Sequence, residues 1–254
     1  MLILLSPAKS LDETSPYPEE PTIPRFERQA AQIARAADRL SAGDLKRIMG
    51  ISDKLAALNA ERYDAFFETP TRPAIRTFAG DVYRGFDVKS ADADTIAFAQ
   101  DHVRILSGLY GMLRPLDRMR PYRLEMGTGW NPAEGEDGKL TDHWGDTVAK
   151  ELRRQLREEG SMVLLNLASN EYYYVVRGKL PKRVTIVEPD FRVRTAKGLQ
   201  FQSFAAKVAR GSMARWVCDE RVDSVDALAN FNRDGWAYDA DGSSENAPLF
   251  VREG

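Results

Sequence analysis

The chain has 254 residues, 43% hydrophobic and 29% charged, the profile of a globular protein long enough to bury a core without disulfide staples. Its 36 Lys and Arg stand against 38 Asp and Glu, a formal net charge of −2, which excludes a generic cationic nucleic-acid coat, whose domains have a pI above about 9. One cysteine and two histidines exclude an internal disulfide and a Cys/His zinc framework, so an anion site must be a local patch on a neutral body, and neither a stable metal nor a cofactor is expected.

Leu2 to Leu5 reads as a short buried strand ended by Ser6-Pro7. This apolar start is far too short for a membrane span or a secretory core, and a cytosolic chain without membrane contact is expected. Ser6-Pro7-Ala8-Lys9 follows directly. Ligands gather at the carboxyl ends of strands in open α/β sheets, which makes Lys9 an anion contact or an activated amine; a turn with an exposed lysine explains the same residues. Its S-x-x-K spacing lacks the S-D-N and K-T-G partners of serine acyl enzymes. Residues 11–25, rich in Pro, Glu and Thr, read as a loop. Phe26, Ala30, Ile33, Ala37 and Leu40 recur at helical spacing. Ser41 and Ser52 open two further helices as N-caps, the second running to Phe67 before a break at 69–73. Ala79 to Gly85 reads as a turn between glycines, and a helix starts at Asp92. Val103 to Leu106 fits either its continuation or a strand.

The run Ser107-Gly108-Leu109-Tyr110-Gly111 is the most distinctive stretch. Glycines bring backbone N–H groups close to an anion, and Arg114, Arg118, Arg120 and Arg123 follow with planar donors suited to phosphate or carboxylate. Asp117 and Glu125 oppose them, so a solvated ion-pair face accounts for the same arginines, and Pro115 and Pro121 hold the segment extended.

Residues 127–140 form a loop, and Thr141 caps a helix to about Arg157. Ser161 to Leu167 is a buried strand followed by Asn166-Leu167-Ala168-Ser169-Asn170-Glu171, which either orients a polar ligand or starts a helix capped by Ser169. Val184 to Val187 is another strand, and Phe191 to Thr195 and Leu199 to Phe204 form a hairpin around Lys197-Gly198. A helix spans Ala205 to Arg221; from Phe204 to Trp216 it carries Lys207, Arg210 and Arg215 and no acid. Gly211 inside it costs about 1 kcal/mol against Ala, which points to close approach of another backbone or a ligand. Cys218 packs there as a small apolar group. From Asp234 the chain reads as a solvated tail, and Asp239, Asp241 and Glu245 miss the Ca²⁺-loop spacing. Strands alternating with helices give an α/β (mixed α+β) class: one domain over 1–254, with a central mixed sheet surrounded by helices.

LILLSPAKSLD, ISDKLAALNAERY, FAGDVYRG, ILSGLYGMLRPLDRMRPYRLEMG, HWGD, NLASNEYY, SFAAKVARGSMARW and FNRDGWAYD, spread along the chain, resemble the YaaA family, the peroxide stress resistance proteins of bacteria. The resemblance implies a cytosolic protein that protects against hydrogen peroxide, with lowered free intracellular iron. It also implies a mixed α/β body with a basic cleft, and duplex DNA bound through a helix-hairpin-helix-like element. Carried onto this sequence, that element is Ser107 to Gly111 after a helix ending near Leu106. Here the glycines stand three apart and Pro115 cuts any second helix to about one turn.

The leading expectation is therefore sequence-independent binding of double-stranded DNA, with phosphates on Lys9, Gly108, Gly111, Arg114, Arg118, Arg120, Arg123, Lys207, Arg210 and Arg215. The competing expectation is an enzyme acting on a nucleotide, nucleobase or other anionic metabolite, with Lys9, Asn166, Glu171 and Lys207 meeting in one cleft. The balance leans away from catalysis.

Overall fold

Four consecutive apolar residues, Leu2–Leu5, form β1, and all four are fully buried. Such a run needs a neighbour on each edge and cover on both faces. It pairs in parallel with β3 (Val103–Ser107) on one side and β6 (Val163–Asn166) on the other. β7 (Thr185–Val187) extends the parallel set, and β4 (Gly111–Leu113) adds an antiparallel edge to β3, giving the order β4-β3-β1-β6-β7. The structure, a computed structural model, describes residues 1–160 and 162–254.

The helices expected from spacing are present. α1 covers Glu27–Asp38 and buries Ala30, Ile33, Ala34 and Ala37. α2 (Ala42–Met49) and α3 (Asp53–Asp64) are capped by Ser41 and Ser52, and Gly50 closes α2 in the left-handed region at φ 60°. Between them and β3 lie β2 (Arg72–Pro73), the short α4 (Ala74–Thr77), α5 (Asp81–Phe86) and α6 (Ala93–His102), whose N-cap is Asp92. A two-residue β5 (Arg118–Met119) pairs with β2. α7 (Leu140–Trp144), α8 (Thr147–Glu158), α9 (Asn170–Tyr173) and α10 (Ser203–Glu220) complete the α-helices of the described residues.

Three readings are corrected. The segment 79–85 is not a turn but the start of α5; Gly85 lies inside that helix because α10 crosses it there. The expected helix from Thr141 begins at Leu140 and is split at Gly145, whose backbone at φ 45°, ψ −120° suits glycine alone. The tail from Asp234 is not loose. Ala237–Ser244 and Ala247–Glu253 form β10 and β11, and β11 pairs in parallel with β8 (Asp190–Thr195), which makes the expected hairpin with β9 (Gly198–Gln200). This second sheet, β10-β11-β8-β9, buries Phe191, Phe250, Phe231 and Trp236 against one another.

α10 joins the two sheets. Its Gly211 meets α5 so closely that a Cβ would fall 1.7 Å from the Val82 carbonyl oxygen, and one on Gly85 would fall 2.0 Å from that of Val208. The expected close approach is thus to a neighbouring backbone. Cys218 is buried on α10, and burial pushes its thiol up to about 12, leaving it inert.

Candidate functional site

The chain leaves β1 towards β3 on one side of the sheet and β6 towards β7 on the other. Where connections part in this way, a crevice opens at the carboxyl ends of the strands, the usual ligand position of open α/β sheets. Here it is a cleft of about 310 Å³. Four segments distant in sequence wall it: Ser6 to Ser10 after β1, Ala79 to Arg84 entering α5, residues after β6 that include Ser169, Glu171 and Tyr172, and Lys207 with Arg210 on α10. The Ser169 N–H donates to Ser6 Oγ at 2.8 Å and fastens the two strand ends together. Tyr83 donates its phenol to the Ser6 carbonyl at 3.0 Å, and burial raises its pKa so that it remains a donor.

Lys9 is 60% exposed and its Nζ lies 3.2 Å from Glu125 Oε1, which Arg123 also meets at 3.2 Å. The other oxygen of Glu125 is buried with no hydrogen-bond partner among the described residues. Glu171 stands at the rim with neither hydrogen bond nor ion pair among the described residues. Its carboxyl is raised from the ordinary value because protein replaces water on one side; Lys9 opposes that shift and Glu125 adds to it. Lys207 is exposed and Arg210 half-buried on the same wall, one turn apart, and neither has a hydrogen bond or ion pair among the described residues. Burial lowers the Arg210 pKa, while Asp190 and Glu188 hold it up. Arg84 lies 3.8 Å from Asp81 and has its guanidinium over the exposed ring of Phe204, 5.5 Å from the centroid.

The other expected residues do not join them. Arg114 donates to Asp117 at 3.0 Å, and Arg118 to Glu27 at 2.7 Å. Arg120 donates to the carbonyls of Thr69 and Phe67. Arg118 and Arg120 line a second cleft, of about 450 Å³, along α1. Arg215 is held by Asp219 at 2.8 Å and by the carbonyls of Asp87 and Ser90. Asn166 spends its amide on Glu188 and the Ala168 N–H, beside the cleft rather than in its lining. The sequence reading singled out Ser6 only through its S-x-x-K spacing and missed Arg84, Asp81 and Phe204. FAGDVYRG carried the signal for Arg84, since a glycine followed by Asp also opens a helix.

The helix-hairpin-helix-like element is not at Ser107 to Gly111. The leading helix ends at His102, and Val103 to Ser107 enters the sheet, paired on both edges, with the β-branched Val103 and Ile105 favouring a strand. Ser107 to Gly111 is the turn of the β3–β4 hairpin and is buried throughout. A Cβ on Gly108 would lie 2.2 Å from the Leu124 carbonyl oxygen, and one on Gly111 2.8 Å from the Trp144 ring, so these glycines admit protein rather than phosphate. A helix–turn–helix pair does stand elsewhere: α2 and α3, joined by Gly50-Ile51-Ser52.

The sequence profile of peroxide stress protein YaaA matches residues 1–242. The chain belongs to this family. It is 53% identical over 253 residues to a UPF0246 protein of Rhizorhabdus wittichii, covering 99% of both chains. Against UPF0246 proteins of Cupriavidus pinatubonensis and Polynucleobacter necessarius the identities are 47% and 44%, covering 99% of this chain and 98% of each relative. Family membership supports a role in oxidative stress. No helix among the described residues is long and apolar enough to cross a membrane.

Proposed function

We propose that the protein acts in the peroxide stress response by binding duplex DNA without sequence preference. The observation that carries this reading is the convergence of Lys9, Arg84, Lys207 and Arg210 on one cleft, with Lys207 and Arg210 left without a hydrogen bond or ion pair among the described residues. Cations with no internal acceptor are the groups available to phosphate oxygens. The α2–α3 pair adds a second phosphate contact. Ser52, Asp53 and Lys54 at the start of α3 are exposed, Lys46 neutralises Asp53 at 2.8 Å, and the open left-handed turn at Gly50 leaves room for a strand backbone. The lowered free iron of the family enters this reading as a consequence in the cell; metal analysis of the purified protein tests direct iron binding.

Fluorescence anisotropy with two unrelated labelled duplexes tests the proposal. Both bind equally and more weakly as salt rises. Lys207→Glu, exposed and free of internal partners, weakens both by about tenfold or more, and Lys54→Glu weakens them independently. Unchanged affinity for Lys207→Glu removes the cleft from the interface.

The enzymatic reading has one observation in its favour: Lys9, Glu171 and Lys207 do share a pocket-sized hollow. A product peak from nucleosides or damaged DNA that vanishes in Lys9→Ala would establish it.

A further inference from the structure

Phosphate binding alone leaves three features of the cleft unused. Its volume of about 310 Å³ lies at the lower end of small-molecule pockets, about 300 to 1,000 Å³; it admits one nucleotide and excludes a duplex. A carboxylate, Glu171, faces the same hollow as the cations and has no hydrogen-bond partner among the described residues, an arrangement that repels a phosphate placed beside it. Phe204 is 58% exposed at the start of α10, three residues before Lys207, with the Arg84 guanidinium against its ring.

We propose that the cleft receives a single unstacked nucleotide of the bound strand, with its phosphate on Lys207 and Arg210, its base edge at Glu171, and Phe204 stacked at the mouth. This rests on the DNA-binding reading above. Each part has its chemistry. Arg210, half-buried in the cleft wall, presents a planar fork with no hydrogen-bond acceptor among the described residues. Glu171 accepts hydrogen bonds from an exocyclic amino group, which adenine, cytosine and guanine carry and thymine lacks. An exposed ring beside cations is the stacking platform of single-strand binding, and it fills the gap a displaced base leaves. The site therefore takes amino-bearing bases in preference to thymine.

The test uses a duplex with one 2-aminopurine placed opposite an abasic position, with binding followed by anisotropy and unstacking by 2-aminopurine fluorescence. Binding raises the fluorescence about threefold or more. Phe204→Ala, a surface change that leaves folding intact, keeps most of the anisotropy signal and loses most of the fluorescence rise. In a second arm, free dCMP and dTMP are titrated against the protein, and dCMP binds more tightly. Glu171→Gln, at an exposed position, erases that difference. Duplex bound without a fluorescence rise overturns the nucleotide pocket and leaves DNA binding standing. Absence of duplex binding overturns the proposed function, and the free-nucleotide arm then decides the pocket alone: tighter dCMP supports it, and equal or no binding ends it.

Discussion

Arg104 on β3 and Glu159, just beyond α8, lie 3.5 Å apart, and burial works against both charges. It pulls the guanidinium down to about 10 and pushes the carboxyl up to about 7. Unfolded, the same carboxyl titrates near about 4.3. Between those values the folded chain binds more protons than the unfolded one, so this group's contribution to stability falls as pH rises through the window. His102, 3.8 Å from the same carboxyl and lowered by burial, titrates with the opposite sign. Glu159→Gln isolates the acid, because His102 is common to both proteins and Arg104 keeps Gln155 and the carbonyls of Gln100, Asp101 and Val103. Between about pH 5 and about pH 8 the urea midpoint of the parent chain drops relative to that of the variant. Parallel curves for the two proteins would show that Glu159 does not titrate in this range.

Among the elements, the α5–α10 crossing fixes the cleft, since it places Lys207 and Arg210 opposite Asp81 and Arg84. Gly211→Ala puts a methyl where the Val82 carbonyl already stands, at 1.7 Å. Backbone cannot give way as a side chain does, and the expected cost is about 3 kcal/mol, at the upper end of overpacking. Gly129→Ala, where a Cβ meets nothing within 4 Å, stays within about 0.5 kcal/mol; urea unfolding of both variants checks the contrast. Elements of this kind differ in how far the sequence reveals them. β1 and β6 are legible because each is built on three or four consecutive apolar residues, Leu2 to Leu5 and Val163 to Leu165, the pattern of a strand covered on both faces. β10 is illegible because its residues are mostly exposed and polar and it is held through β11, whose other neighbour β8 lies far back in the sequence. The glycines at 108 and 111 mislead because space for a phosphate and space for Trp144 demand the same residue, whereas Gly50 and its two serine caps spell out the α2–α3 pair locally.

For the whole molecule, the decisive fact is that most of its arginines are spoken for. Arg114, Arg123 and Arg215 meet acids within four residues of themselves, and Arg118 meets the distant Glu27. Acids close by in sequence announce the pairing of Arg114, Arg123 and Arg215, whereas no local pattern announces that of Arg118 or the convergence of Lys207 and Arg210 with Lys9, which depends on the fold. With a net charge of −2, the long-range field favours no polyanion, so the proposed DNA binding has to draw on the few cations at the cleft. Each phosphate neutralised contributes about −0.9 to the slope of log affinity against log salt. If Lys9, Arg84, Lys207 and Arg210 each neutralise a phosphate of their own, the slope reaches at most about −3.6, and one further contact from Lys54 at the α2–α3 turn brings that limit to about −4.5; a phosphate shared by Lys207 and Arg210 makes it shallower. Lys207→Gln makes the slope shallower by about one unit for every sequence tested. A measured slope of about −7 or steeper would require a broad basic face, which the internal pairing of these arginines denies to this fold.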